Sequence, residues 1–169
     1  MEKGYIQVYT GNGKGKSTAA FGLAMRAVGA GLKVIIIQFL KGQKYSEHSS
    51  FKKLGIEYEL YGTKEFIIGE PSEEVKELAR NGLKRALKAF EEGYDVVILD
   101  EVNVSVYMKV FSVEEVMEVI KSKPDNVELI LTGRYAPQEF IEIADLVTEM
   151  KEVKHYYQKG IQARRGIEM

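Results

Sequence analysis

Apolar positions along the chain fall into two kinds of segment that take turns. Short, nearly unbroken runs at Tyr5, Ile6 and Val8, at Val34 to Ile37, at Val96 to Leu99 and at Val127 to Leu131 are bounded by glycine, charge or turn residues. That is the pattern of strands covered on both faces of a parallel sheet. Between them lie longer stretches with helical spacing. Ser17 to Ala30 carries Ala19, Ala20, Phe21, Leu23, Ala24, Met25, Ala27 and Val28 on nearly every side, which predicts a helix buried against a sheet. Val75, Leu78, Ala79, Leu83, Ala86, Leu87 and Phe90 follow the helical period behind a capping Ser72, and Gly93 ends them. Ser112 with Glu115 forms a capping box for a helix through Ile120 that Pro124 shuts off. Pro137 starts a short helix to Asp145, and Leu146 to Val153 forms a last strand. Strand and helix in alternation predict an α/β chain.

The segment between the second and third runs is less regular. Lys41 to Ser50 is polar and reads as a loop, Phe51 to Leu54 closes a short helix, and Ile56 to Tyr61 alternates as a strand. Gly62 to Pro71 is a loop that carries Phe66, Ile67 and Ile68 outside any periodic element. Such residues either fold back onto the core or wall a large ligand.

The chemistry concentrates directly after the first run, in YTGNGKGKST. Strand, glycine-rich turn and helix start, closed by a Lys-Ser pair, are the parts of a P-loop. Backbone amides from Thr10 through Gly11, Asn12, Gly13, Lys14, Gly15 and on to Thr18 wrap an anionic chain, Lys16 brings a point charge, and the Ser17 hydroxyl ligates magnesium. Gly11, Gly13 and Gly15 permit close approach and positive φ. Thr10 stands where the general pattern GxxxxGK[ST] has its first glycine. The run Val96 to Leu99 delivers Asp100 and Glu101 to the same sheet edge, where the carboxylates of P-loop proteins hold magnesium directly or through water, or polarise a water. Thr132, Gly133 and Arg134 follow the next strand; Arg134 either bridges phosphate or pairs with a surface carboxylate. Arg26, the one charge on its helix after Lys16, either snorkels to water or reaches toward the nucleotide.

Composition removes several alternatives. There is no cysteine, so disulfides, thiolate zinc sites and a cysteine nucleophile are excluded. With 24 basic against 25 acidic residues the chain offers no bulk field for nucleic acid or an anionic membrane surface. No apolar run approaches the roughly 18 to 20 residues of a membrane span, and MEKGYIQVYT has no signal-type apolar region. A single cytoplasmic domain of 169 residues is the expectation.

The motifs together resemble the ATP:corrinoid adenosyltransferases of the cobalamin-biosynthesis type that carry a P-loop. TGNGKGKST with Thr10 in first place is similar to that family's own form of the loop. Ala19 to Gly22, QFLKG at Gln38 to Gly42, LDE at Leu99 to Glu101, TGR at Thr132 to Arg134 and the KH and GIE elements of the tail match as well. The resemblance runs almost end to end. It implies a RecA-like P-loop fold with a mainly parallel six-stranded sheet, working as a homodimer. The implied reaction is attack of a reduced Co(I) corrinoid on the 5′ carbon of ATP, with magnesium or manganese on the departing tripolyphosphate and a flavoprotein-type reductase supplying Co(I). In catalytic roles it implies Lys16 and Glu101, with Ser17, Asp100 and Glu101 on the metal and Phe66 facing the corrinoid. Two departures stand out. Longer relatives carry an N-terminal helix over a nucleotide site, so the expectation here is a lid that is absent or built otherwise. Where relatives show a Phe-x-Trp element, this sequence has Phe66, Ile67 and Ile68. The competing class is an ordinary P-loop ATPase or small-molecule phosphotransferase, which would transfer the γ-phosphoryl group instead.

Overall fold

A computed structural model describes residues 1–64, 67 and 69–168. The elements in chain order are β1 (Ile6–Thr10), α1 (Lys16–Gly29), β2 (Val34–Phe39), α2 (Ser46–Leu54), β3 (Glu57–Tyr61), α3 (Glu73–Glu91), β4 (Val96–Asp100), α4 (Val102–Tyr107), α5 (Val113–Lys121), β5 (Glu128–Thr132), α6 (Gln138–Ile143) and β6 (Leu146–Glu149), with a 3-10 turn at Tyr156–Lys159. The strands form one sheet in the order β3-β2-β4-β5-β1-β6, and every pairing is parallel. The mainly parallel expectation thus becomes a wholly parallel sheet.

The unbroken apolar runs are explained by cover on both faces. In β2, Ile35 and Ile37 belong to the core on the α3 face of the sheet, while Val34 and Ile36 belong to the core that holds Ala20, Ala24 and Ala27 of α1 and Phe51 of α2. Small alanines on α1 let that helix lie close to the sheet. The caps match the sequence: Ser72 Oγ accepts the Val75 N–H at 3.3 Å, and Ser112 and Glu115 exchange both bonds of a capping box.

Three elements differ from expectation. Helix α2 starts at Ser46, not near Phe51, because its buried pair is His48 and Phe51, a polar residue standing where periodicity looks for an apolar one. Helix α4, unforeseen, begins directly after Glu101; its sequence VNVSVY is β-branched and too short to show a period. Strand β6 stops at Glu149 instead of running to Val153, as Met150 turns toward the glycine-rich loop, its N–H donating to Thr10 O at 2.8 Å.

Candidate active site

The carboxyl ends of β1, β4 and β5 meet on one sheet edge. Because β5 lies between β1 and β4, its end joins the glycine-rich loop to the acidic pair. The Thr132 hydroxyl donates to Asp100 Oδ1 at 2.7 Å and accepts the Glu101 N–H at 3.0 Å. Gly133 N–H donates to the Tyr9 carbonyl at 3.1 Å, and Asn103 Nδ2 donates to the Gly133 carbonyl at 3.1 Å.

In the loop, Gly11 has φ 97° and Gly15 φ 122°. Gly13, expected to share that conformation, does not; it is required by close approach instead. A Cβ there would lie 2.6 Å from the Met150 carbonyl oxygen, to which Gly13 N–H donates at 2.6 Å. Thr10 ends β1 with strand geometry, so no glycine is needed in that place, and its hydroxyl accepts the Ala136 N–H at 3.2 Å. Lys16 opens α1, is 8% exposed, and donates from Nζ to the Gly13 carbonyl at 2.7 Å. Burial pulls its ammonium below the usual range, against the attraction of Glu101, and Arg134 pulls the same way as burial.

Asp100 is fully buried. Besides Thr132, it accepts Gln38 Nε2 at 2.9 Å and Lys41 Nζ at 3.0 Å on Oδ2, and the nearby Ser17 hydroxyl also favours its charged form. Burial alone would raise its pKa, but the Lys41 charge and these donors outweigh it and hold the carboxyl below the ordinary range. Glu101 goes the other way: burial and the neighbouring Asp100 charge raise it, opposed by Lys41, Lys16 and Arg134. Asp100 therefore stays ionised, and Glu101 is the first of the two to take a proton. Glu101 also sits at φ 64°, a left-handed conformation for a non-glycine residue that costs on the order of 1–3 kcal/mol and turns the chain from β4 into α4.

Behind Asp100 the network continues to His48, 2% exposed and stacked on Tyr58 at 4.6 Å. Tyr45 N–H donates to His48 Nδ1 at 2.7 Å. Nε2 therefore carries the ring proton and donates to Gln38 Oε1, which fixes the Gln38 amide with its NH2 toward Asp100. Burial, first, lowers the His48 pKa. An unfolded imidazole takes a proton as pH drops through about 6.5, whereas the folded ring resists to lower pH. Unfolding then takes up a proton in that window, so stability falls on acidification. Urea titrations at stepped pH are expected to show this slope in the wild type and a flatter one in His48→Gln; equal slopes would remove His48 from the account.

The other sequence candidates are placed as follows. Asn12, Lys14 and Thr18 are exposed on the loop and first turn, and Lys14 Nζ donates to the Ile167 carbonyl at 3.2 Å, which lays the tail against the cradle. Arg134 is exposed beside Lys16 and Glu101 and makes no ion pair among the described residues. Arg26 stands in the last turn of α1, exposed, about 15 Å along the axis from Lys16; it is not brought to the cradle. Phe66 and Ile68 lie outside the described residues. Ile67 packs against the core and also lines a cleft of about 600 Å³ with Gly42, Gly62, Thr63, Val75 and Leu78.

Four site residues were given no role by the sequence reasoning, Gln38, Lys41, His48 and Asn103, although Gln38 and Lys41 lie in the QFLKG run that carries the resemblance. The available signal was Gln38, an amide ending the run Val34 to Ile37, where a buried strand admits a polar side chain only with a partner.

Oxygen donors at Ser17 and Glu101, with ionised Asp100 behind them, fit a hard divalent cation such as magnesium. Among the described residues no group of three or more His, Asp or Glu side chains could hold a metal. The remaining ligands would be phosphate oxygens and water, the usual manner of magnesium.

Fold and site define a P-loop protein of RecA-like architecture. The flagellar accessory protein FlaH from Methanocaldococcus jannaschii superposes with a TM-score of 0.59 over 88% of this chain and 72% of its own, at 14% identity, a likeness of fold alone. The chain belongs to the ATP:corrinoid adenosyltransferase BtuR/CobO/CobP family, which it matches over residues 2–169. It is 36% identical to the corrinoid adenosyltransferase of Escherichia coli K12, over 99% of this chain and 86% of the relative. It is similarly 36% identical to the corrinoid adenosyltransferase CobA of Salmonella typhimurium, covering 99% and 86%. Identity to the Pseudomonas aeruginosa corrinoid adenosyltransferase is 34%, covering 99% and 84%.

Proposed function

We propose that the protein transfers the 5′-deoxyadenosyl group of ATP to the Co(I) centre of a corrinoid. The electron pair on cobalt forms the Co–C bond, the C5′–O bond breaks, and its pair leaves on tripolyphosphate. The observation that carries this reading is that the family match runs through every element building the site, from the glycine-rich loop to the tail that Lys14 touches. Loop amides, Lys16 and Arg134 hold the polyphosphate, and Ser17 with Glu101 would hold magnesium or manganese, which neutralises charge on the phosphate oxygens. Arg134 suits the phosphate role because it has no carboxylate partner among the described residues. No proton has to be removed from a Co(I) nucleophile, so Glu101 works as a ligand and not as a base. The cleft at Gly42, one residue from Lys41, suits a large planar substrate. Cytoplasmic operation as a homodimer, with a flavoprotein-type reductase, completes the proposal.

Incubation with MgATP and chemically reduced corrinoid is expected to give the spectrum of an alkylated, light-sensitive cobalt product. Ser17→Ala and Glu101→Ala are expected to need more magnesium for the same rate while melting like the wild type. No alkylcobalt product under these conditions would refute the assignment.

A further inference from the structure

A cation of the protein's own sits on Asp100. Lys41 Nζ is 3.0 Å from Asp100 Oδ2 and 3.8 Å from Glu47 Oε1, between the rings of Phe21 and Tyr45 at 5.7 and 5.9 Å. The backbone is bent to deliver it. Leu40, just before, has φ 60°, unfavourable for a branched side chain. A Cβ on Gly42, just after, would lie 2.3 Å from the Thr63 carbonyl carbon, so only glycine lets the loop after β2 fold against the loop after β3. A lysine resting on the surface by chance needs neither device.

We infer that Lys41 is a positioning residue that occupies Asp100 until nucleotide arrives and so makes divalent-cation binding conditional on the nucleotide. The inference rests on the magnesium role proposed above. A carboxylate offers about four acceptor positions, and Asp100, fully buried, already takes hydrogen bonds from Thr132, Gln38 and Lys41. Glu101 is then the one site carboxylate left for a cation. One carboxylate and one hydroxyl are too few for a cation site built from protein alone, in keeping with the lack of any three-ligand group among the described residues. Phosphate oxygens supply what is missing, so the cation enters with the nucleotide. Without the Lys41 charge, Asp100 and Glu101 become adjacent, poorly compensated carboxylates that attract a divalent ion unaided.

Equilibrium dialysis of Mn²⁺ against the full chain tests this. The wild type is expected to bind Mn²⁺ weakly alone and tightly with ATP. Lys41→Gln is expected to bind Mn²⁺ alone roughly tenfold or more tightly than the wild type, the size of a typical coupling between sites. Lys41→Arg, which keeps the charge, is expected to behave as the wild type, and adding Asp100→Asn to Lys41→Gln to abolish the gain. Should Lys41→Gln fold poorly, Lys41→Met carries the same test, read as a rise in melting temperature on adding Mn²⁺ alone. Unchanged Mn²⁺ binding in the charge-removing variants, or tight binding of Mn²⁺ alone by the wild type, overturns the inference. No Mn²⁺ on the wild type even with ATP overturns the metal assignment at Ser17 and Glu101, and the inference with it.

Discussion

Lys16→Ala is expected to weaken ATP binding by more than about tenfold while leaving the fold intact. Lys16 is 8% exposed and donates to the Gly13 carbonyl of its own loop, so its ammonium lies at the cradle. A charge-assisted contact to a polyanion is worth about 1.5–3 kcal/mol, and a lysine reaching several phosphate oxygens contributes more than one such contact. Affinity should therefore fall by more than about tenfold, and by over a hundredfold at the upper figure. Burial already disfavours this ammonium, so removing it relieves a desolvation cost and the melting temperature should hold. Calorimetric titration with MgATP checks the binding and a thermal melt checks the fold. Wild-type affinity in this variant would contradict the placement of the phosphates.

Asp100→Asn is expected to strike the fold itself. The carboxylate is fully buried and takes hydrogen bonds from Thr132, Gln38 and Lys41. An amide of the same shape presents an NH2 to groups that are themselves donors and leaves Lys41 without its countercharge. Removing one partner of a buried pair costs about 3–5 kcal/mol. The Lys41 side chain retains 21% exposure, so water screens part of the loss and the lower figure applies. At about 2–4 °C per kcal/mol for a chain of this size, the melting temperature should drop by roughly 6–12 °C. Lys41→Met in the same chain should recover part of that, since it removes the stranded charge. A drop under about 2 °C would show that the network does not brace the site.

What could be foreseen from sequence followed the range of the forces involved. The glycine-rich loop, the Asp100-Glu101 pair and the Ser112-Glu115 box are local, their residues adjacent or a turn apart, and they declare themselves in the chain. Strand order is not local. That β5 separates β1 from β4, and so makes Thr132 the link between loop and acid pair, is decided by packing across the whole sheet. The network from Asp100 through Gln38 to His48 was hidden for a related reason: His48 fills an inward helical position that pattern reasoning reserves for apolar residues, and it is tolerated because both ring nitrogens are bonded. Thr10 looked like a defect in the motif, yet as a strand residue it needs no glycine, the positive φ having passed to Gly11. Arg26 shows the opposite limit, since a lone charge on a helix says nothing of which end of that helix meets the ligand.

The fate of the ATP phosphates tests the central claim most directly. If the γ-phosphorus were the electrophile, the cradle would stabilise charge at one end of the chain and the product would be ADP. With C5′ as the electrophile, the same cradle must stabilise the whole polyphosphate as it leaves. Phosphorus NMR of the protein with MgATP and Co(I) corrinoid is expected to show intact tripolyphosphate accumulating in step with alkylcobalt product, and almost no ADP when corrinoid is withheld. Steady formation of ADP and orthophosphate that ignores added corrinoid would contradict adenosyl transfer and establish an ATPase in its place.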